Sequence, residues 1–119
     1  MALRQQIGRH GEDLACAHLN GLGMTVLERN WRCAHGELDL VMDDAGTVVA
    51  VEVKTRRSTG FGDPVEAVTP QKLARLRSLL GLWLAAHPGT GRRPVRVDVV
   101  GVFMPRDGEP RLRHLKGVD

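Results

Sequence analysis

The segment VEVKTRR, residues 51–57, decides the fold prediction and raises the functional question. In an extended chain successive side chains point to opposite faces of a sheet. Positions 51, 53 and 55 present aliphatic and hydroxyl groups to one face, as a half-buried strand requires. The other face carries a carboxylate, an ammonium group and a guanidinium group, from Glu52, Lys54 and Arg56. Packing explains the first face, whereas the second face needs an electrostatic or functional explanation.

The residues before this segment predict a helix followed by three strands. Helically spaced small and apolar residues indicate a first helix from about Gln5 to Leu22, ended by glycines. Three stretches then read as strands: MTVLERNW (24–31), ELDLVM (37–42) and TVVAVEVKTR (47–56). The turn-like DDAG (43–46) joins the second strand to the third, so these two strands are expected to form a hairpin.

The residues after the segment predict a loop and a second helix. RSTGFGDP (57–64) has loop composition. Thr69 and Pro70 mark a helix start, because Thr caps free amides and Pro is tolerated at the first helical position. An apolar face follows at helical spacing: Leu73, Leu76, Leu80, Trp83 and Leu84.

Two further strands complete the pattern. VRVDVVGVF (95–103) reads as a strand, and RLRHL (111–115) as a short last strand. The order αβββαβ(β) predicts one α/β domain over residues 1–119, with a mixed central β-sheet flanked by helices.

Composition excludes several classes of protein. With 42% hydrophobic and 26% charged residues the chain reads as globular, and its longest apolar run, residues 79–86, is too short to span a bilayer. The first residues lack an apolar signal segment, so a cytoplasmic protein with no membrane partner is expected. Two cysteines without Cys-x-x-Cys spacing predict neither a disulfide framework nor a zinc site.

The net charge of the chain indicates which kind of molecule it could bind. A net charge of +3, carried mainly by arginine, favours a polyanionic partner such as nucleic acid. The alternative is a solvated surface in an arginine-rich chain. The chain has no tyrosine and only four Phe and Trp residues, which argues against an aromatic platform for stacked bases.

The register of the predicted hairpin decides whether charged residues of the two strands meet. A loop with an even number of residues within 43–47 brings the face of Asp39 onto that of Glu52 and Lys54. Under one such register Asp39 lies opposite Glu52, and Glu37 lies opposite Lys54; under the next, Asp39 is displaced by one pair. Alternation places the apolar residues of the second strand together on the other face: Leu38, Leu40 and Met42.

The clustered charges have two interpretations. One is structural: the charged strand residues form cross-strand ion pairs on a solvated face, and Glu12, at the edge of the core-facing stripe of the first helix, pairs with a nearby arginine. The other is a metal site, because neighbouring carboxylates repel unless a cation neutralises them. Asp39 and Glu52 would supply the hard oxygen ligands that magnesium prefers, with the Val53 carbonyl as a third. Lys54 could then orient an attacking water or stabilise charge on a phosphate, which is the chemistry of phosphodiester hydrolysis.

An Asp on one strand followed by Glu-x-Lys on the next resembles the PD-(D/E)xK nucleases of the restriction-endonuclease-like superfamily. GRHGEDLACAHL, GELDLV, VEVKTR and TPQKLARL resemble more specifically the YraN family of bacterial proteins, whose layout is similar to that of Holliday junction resolvases. The resemblance covers roughly residues 7 to 103 and implies a restriction-endonuclease-like fold with bound Mg²⁺ or Mn²⁺. The residues that match the superfamily's acidic and lysine positions are Glu12, Asp39, Glu52 and Lys54.

The function that follows is that of a magnesium-dependent nuclease acting on DNA, with branched or junction structures among the candidate substrates. Glu12, Asp39 and Glu52 would hold the metal, and Asp39, Glu52 and Lys54 would be catalytic. Three residues are expected to contact phosphates: Arg56, Arg57 and Gln71. Glu37 could bind a second cation or pair with Lys54.

Two other functions stay open at this point. One is a non-catalytic nucleic-acid-binding or scaffold protein that retains the nuclease fold. The other is an interaction module that dimerises through LLGLWLAA (79–86), a face that burial against the sheet would equally explain. The sequence leaves open whether the protein acts as a homodimer and whether DNA or RNA is the substrate.

Overall fold

The computed structural model describes residues 3–57 and 64–118, in which helices flank one mixed five-stranded sheet. The elements in chain order are α1 Leu3–Gly21, β1 Thr25–Cys33, β2 Gly36–Asp44, β3 Thr47–Arg56, α2 Pro70–Ala86, β4 Val95–Phe103 and β5 Arg111–Leu115. Short 3-10 helices at Pro64–Ala67 and Pro88–Thr90 flank α2. The predicted α/β class and element order are confirmed, whereas most of the predicted loop at 57–64 lies outside the described residues.

The strands lie in the sheet in their chain order. Neighbouring strands are antiparallel except β3 and β4, which run parallel. A parallel pair needs a crossover connection, and α2 supplies it. The Thr69 hydroxyl accepts a hydrogen bond from the Lys72 amide at 3.2 Å, so the predicted cap and helix start are confirmed.

The β2–β3 hairpin has a two-residue loop. Ala45 and Gly46 both have positive φ, 50° and 97°, as a tight hairpin turn of type I′ requires. The ladder runs from the Asp44–Thr47 pair to the Leu40–Val51 pair. One of the even-numbered loops expected from the sequence is therefore present, and its register brings Asp39 towards Glu52.

The two helices cover opposite faces of the sheet. The core on the α1 face includes Ala15, Cys16, Leu19, Leu40, Met42, Val49 and Val51. The core on the α2 face includes Leu38, Val41, Val48, Ala50, Leu76, Leu80 and Trp83. The apolar face of α2 is thus buried against the sheet, which explains most of LLGLWLAA without a dimer. Neither helix of the described ranges combines the length and the apolar character needed to cross a bilayer.

The expected alternation of β2 is wrong at one position. Leu38 packs on the α2 face, whereas Leu40, two residues away, packs on the α1 face. The paired strand changes face at the same level, because Trp31, opposite Leu38, packs towards α2. Between the two pairs β1 has Asn30 with a left-handed φ of 53°, which interrupts the regular pleat. Both strands therefore switch faces at the level of Asp39.

Candidate active site

Asp39 lies where the regular pairing of β2 with β3 stops. The last ladder pair is Leu40–Val51, and beyond it the Val53 amide donates a hydrogen bond to Asp39 Oδ2 at 2.9 Å. The carboxylate therefore takes the place of a main-chain acceptor. This contact holds the Asp39 side chain between β2 and β3, where it interacts with both Glu52 and Glu12.

Glu52 shares a hydrogen bond with Asp39. Burial, this hydrogen bond and the negative charge of Asp39 raise the pKa of Glu52 from 4.5 to about 8, and Lys54 and Lys72 oppose the shift. At neutral pH Glu52 is mostly protonated and donates to Asp39. The register expected from the sequence thus brings together the two carboxyl groups, which hold one proton between them.

Glu12 approaches Asp39 from α1. Burial and the negative charge of Asp39 raise the pKa of Glu12, whereas Arg29 and Asn30 lower it. The helix comes this close because Gly11 lies directly against Thr55 of β3, where a Cβ would overlap the Thr55 hydroxyl. The three predicted acidic positions are thus brought together from three elements.

Two clefts meet beside these carboxyl groups. The α2-side cleft has a volume of about 280 Å³ and is lined by Asp39, Glu52, Lys54, Lys72 and Arg75, among others. The α1-side cleft is larger, about 720 Å³, and its lining includes Leu3, Ile7, Glu12, Lys54, Arg56 and Arg57. Lys54 lines both clefts, so the predicted catalytic lysine lies at their junction.

The residues predicted to contact phosphates are not all in one place. Arg56 and Arg57 line the α1-side cleft. Gln71 is exposed in the first turn of α2 and lines neither cleft, whereas its neighbour Lys72, together with Arg75, lines the α2-side cleft.

Sequence reasoning missed Lys72 and Arg75 as site residues. The signal was their spacing, because Lys72 lies four residues before Leu76 and Arg75 four residues before Leu79, and both leucines line the α2-side cleft. Arg75 in addition donates a hydrogen bond to the His35 carbonyl at 3.2 Å, which ties α2 to the β1–β2 turn.

Glu37 has a different partner from the one considered above. It accepts a hydrogen bond from Arg32 Nε at 2.9 Å, within the Arg32–Glu37 cross-strand pair. Pairing with Lys54 is therefore wrong. Arg32 partly neutralises Glu37 at the rim of the α2-side cleft, in an exposed pair that contributes little to stability.

Comparison with known proteins establishes the family. The sequence model of a protein family, described as uncharacterised protein family UPF0102, matches residues 11–102. The chain belongs to the UPF0102 family. Among its UPF0102 relatives, the protein of Clavibacter michiganensis is 59% identical over 112 residues, 94% of each chain. The relative from Kineococcus radiotolerans is 53% identical over 115 residues, 97% of this chain and 94% of its own. A Mycobacterium relative is 56% identical over 117 residues, 97% of this chain and 86% of its own.

The donor set of this UPF0102 chain suits a hard cation held by two carboxylates. Magnesium commonly takes one or two protein carboxylates and keeps waters for its other positions. Asp39 and Glu52 fit that role, because a cation could displace the proton that they share. Within residues 3–57 and 64–118, no group of three or more His, Cys, Asp or Glu side chains is arranged to hold a metal. The role of Glu12 as a third ligand stays a prediction.

Proposed function

We propose that this protein is a magnesium-dependent nuclease with a restriction-endonuclease-like fold. It binds DNA, including branched and junction DNA, and hydrolyses phosphodiester bonds. The observation that carries the proposal is the Asp39–Glu52 pair, held in a partly buried cleft beside Lys54. The half-buried Glu52 has a raised pKa beside a specific charged neighbour, and such perturbed groups concentrate at functional sites.

Each residue has a defined part in this chemistry. Asp39 and Glu52 would bind Mg²⁺ or Mn²⁺, which would polarise the phosphate and lower the pKa of an attacking water. The Val53 amide orients Asp39, since its hydrogen bond fixes one carboxylate oxygen. Lys54 lines both clefts, and its ammonium group would orient the water or donate to a phosphate oxygen that gains charge.

The cations around the site support a nucleic-acid substrate. Lys72 and Arg75 line one cleft, and Arg56 and Arg57 line the other. Positive groups on both sides of a carboxylate pair fit a strand with phosphates on either side of the scissile bond. The net charge of +3 also favours binding to a polyanion.

A non-catalytic DNA-binding or scaffold function is the second candidate. The observation in its favour is that Asp39 and Glu52 satisfy each other by a hydrogen bond, so that the fold does not need a cation at this point. A protein of this kind would use the same cationic clefts for binding without turnover.

Calorimetric titration of Mn²⁺ or Mg²⁺ separates these two functions. Wild type and Asp39→Asn would be titrated with and without a four-way DNA junction, with Asp107→Asn, an exposed substitution in the β4–β5 connection, as the matched control. Metal binding that is lost in Asp39→Asn alone, together with metal-dependent cleavage lost in the same variant, supports the nuclease. DNA binding should persist or tighten in Asp39→Asn, because a repulsive charge is removed. DNA binding without metal binding in wild type would instead support the non-catalytic function.

A further inference from the structure

The α1-side cleft has two walls of different chemistry. One wall comes from successive turns of α1 and is aliphatic, with Leu3 and Ile7 four residues apart. Leu3 is 64% exposed, a large value for a leucine beside a cleft. The other wall comes from the end of β3 and includes the two basic residues Arg56 and Arg57.

The floor of this cleft reaches the candidate active site. Glu12, Val53 and Lys54 all line it. The Val53 amide is bonded to Asp39, and Lys54 also lines the cleft that contains Asp39 and Glu52. A group seated between the two walls would therefore lie next to a phosphate held at the carboxyl pair.

The size and chemistry of the cleft fit one nucleotide. Its volume of about 720 Å³ falls in the range of small-ligand sites, about 300–1,000 Å³. Aliphatic side chains pack on the faces of a sugar or base, and arginine both stacks on a base and binds a phosphate. Its described lining contains no aromatic ring, so a base would be held by aliphatic packing and by arginine instead of by an aromatic platform.

We propose that the α1-side cleft binds one unpaired nucleotide next to the scissile phosphate, so that the preferred substrates are strands with an unstacked nucleotide rather than continuous duplex. In a duplex both faces of every base are covered by neighbouring pairs, and only a nucleotide outside the stack can present its base to Leu3 and Ile7. The proposal rests on the proposed function, because it takes the carboxyl pair as the position of the scissile phosphate.

Fluorescence anisotropy in EDTA tests binding without cleavage. Three labelled DNA probes would be compared: a fully paired duplex, the same duplex with one bulged nucleotide, and the bulged duplex with an abasic site at the bulge. We expect wild type to bind the bulged duplex about tenfold more tightly than the other two, which corresponds to about 1.4 kcal/mol.

Two substitutions locate the preference in the cleft. Leu3→Ser should remove much of the preference for the bulged base, and it should leave folding undisturbed because Leu3 is exposed. Ile7→Ser should have the larger effect, because Ile7 is half buried in the same wall. Leu82→Ser is the matched control, since Leu82 is 40% exposed on α2 and lines neither cleft. Affinity for the paired duplex should stay unchanged in Leu82→Ser, and in the two cleft variants it should fall much less than affinity for the bulged duplex.

The outcomes distinguish this proposal from the proposed function. Equal affinity for the three probes, or a preference that survives both cleft substitutions, overturns the nucleotide site. If Asp39-dependent cleavage of duplex DNA is nevertheless observed, the nuclease function stands without it. A base preference without any metal-dependent cleavage supports the nucleotide site and removes the nuclease. Failure to bind any probe, together with no cleavage in Mg²⁺, overturns both.

Discussion

The Val53 amide donates to Asp39 Oδ2 at 2.9 Å, one step beyond the last regular pair of the β2–β3 ladder. The acidic group is thereby part of the sheet's own hydrogen bonding. Burial of the neighbouring Glu52 carboxyl, together with its hydrogen bond to Asp39 and the negative charge of Asp39, raises its pKa to about 8, so that it retains its proton. The Asp39–Glu52 hydrogen bond thus links the stability of the fold to the ionisation of the candidate site.

Stability should fall with rising pH because of Glu52. The pKa of its carboxyl is about 8 in the fold and near 4.5 when exposed, so its contribution is fully present below pH 4.5 and is lost as pH rises to about 8. Glu52→Gln keeps a donor for Asp39 and cannot ionise. Urea unfolding at about pH 9 should show the variant more stable than wild type by on the order of 2 kcal/mol, allowing for partial exposure.

The comparison needs a second pH and a control. At about pH 4.5 the difference between wild type and Glu52→Gln should be small, because both then carry a neutral group. Glu109→Gln, at an exposed position before β5, should not alter the pH dependence. Parallel pH profiles for wild type and Glu52→Gln would contradict the assignment of the shared proton.

The close approach of α1 to β3 should depend on Gly11. Gly11→Ala would overlap Thr55 and is expected to destabilise the fold by about 1–3 kcal/mol. Gly8→Ala is the matched control, because no atom lies within 4 Å of a Cβ there and alanine favours a helix by about 0.5–1 kcal/mol. Thermal unfolding should therefore show shifts of opposite sign.

A double variant checks the cause of the Gly11 effect. Thr55→Ala removes the hydroxyl and methyl groups that a Cβ at position 11 would meet. Gly11→Ala combined with Thr55→Ala should then be more stable than the sum of the two single changes predicts. Simple additivity would show that the helix, rather than its contact with β3, is responsible.

Asp98 should be the main attachment of the C-terminal strand. It is fully buried and accepts hydrogen bonds from Arg96, from His114 and from the Gly117 amide. Burial alone would raise the pKa of Asp98, but these donors outweigh it and lower the pKa. Asp98→Asn should cost about 3 kcal/mol in urea unfolding, because Arg96 loses a charged partner, and hydrogen exchange should accelerate in β5.

The pH dependence gives a second check on Asp98. A lowered pKa means that its stabilisation is present above about pH 3.8, the ordinary value, and is lost as pH falls through the value in the fold. Wild type should therefore lose stability in acid more steeply than Asp98→Asn. Unchanged exchange in β5 on this substitution would mean that other contacts hold the strand.

Arg57 should contribute one phosphate contact. It is exposed and lines the α1-side cleft. Arg57→Gln should lower the slope of log affinity for DNA against log salt by about 1. Arg106→Gln, an exposed arginine in the β4–β5 connection, should leave the slope unchanged. Equal effects of the two substitutions would indicate general charge attraction and no contact at the cleft.

Much of the fold could be predicted because its signals are local. The run of β-branched residues predicted both ends of β3 correctly. The turn residues at 43–46 limited the possible registers enough to place Asp39 near Glu52. The face change between Leu38 and Leu40 could not be predicted. It depends on the left-handed backbone of Asn30 in another strand, a conformation that Asn tolerates but does not require.

The rest of the site depends on distances that no sequence pattern supplies. The proton shared by Asp39 and Glu52 results from their burial and separation. The contribution of Lys72 and Arg75 depends on where the crossover places the start of α2. The sequence identified the chemical groups, and the tertiary packing determined their ionisation and neighbours.

The switch of faces in β1 and β2 also affects how the protein should respond to a ligand. Asp39 interacts electrostatically with Glu12 of α1 and also lines the α2-side cleft. This carboxylate therefore has neighbours from both helix layers. A cation bound there would be released when either layer detached. Binding and unfolding are then thermodynamically linked, and the melting temperature should rise with the logarithm of cation concentration once the site is saturated. The protein would be most resistant to heat and proteolysis when the cation is bound at Asp39.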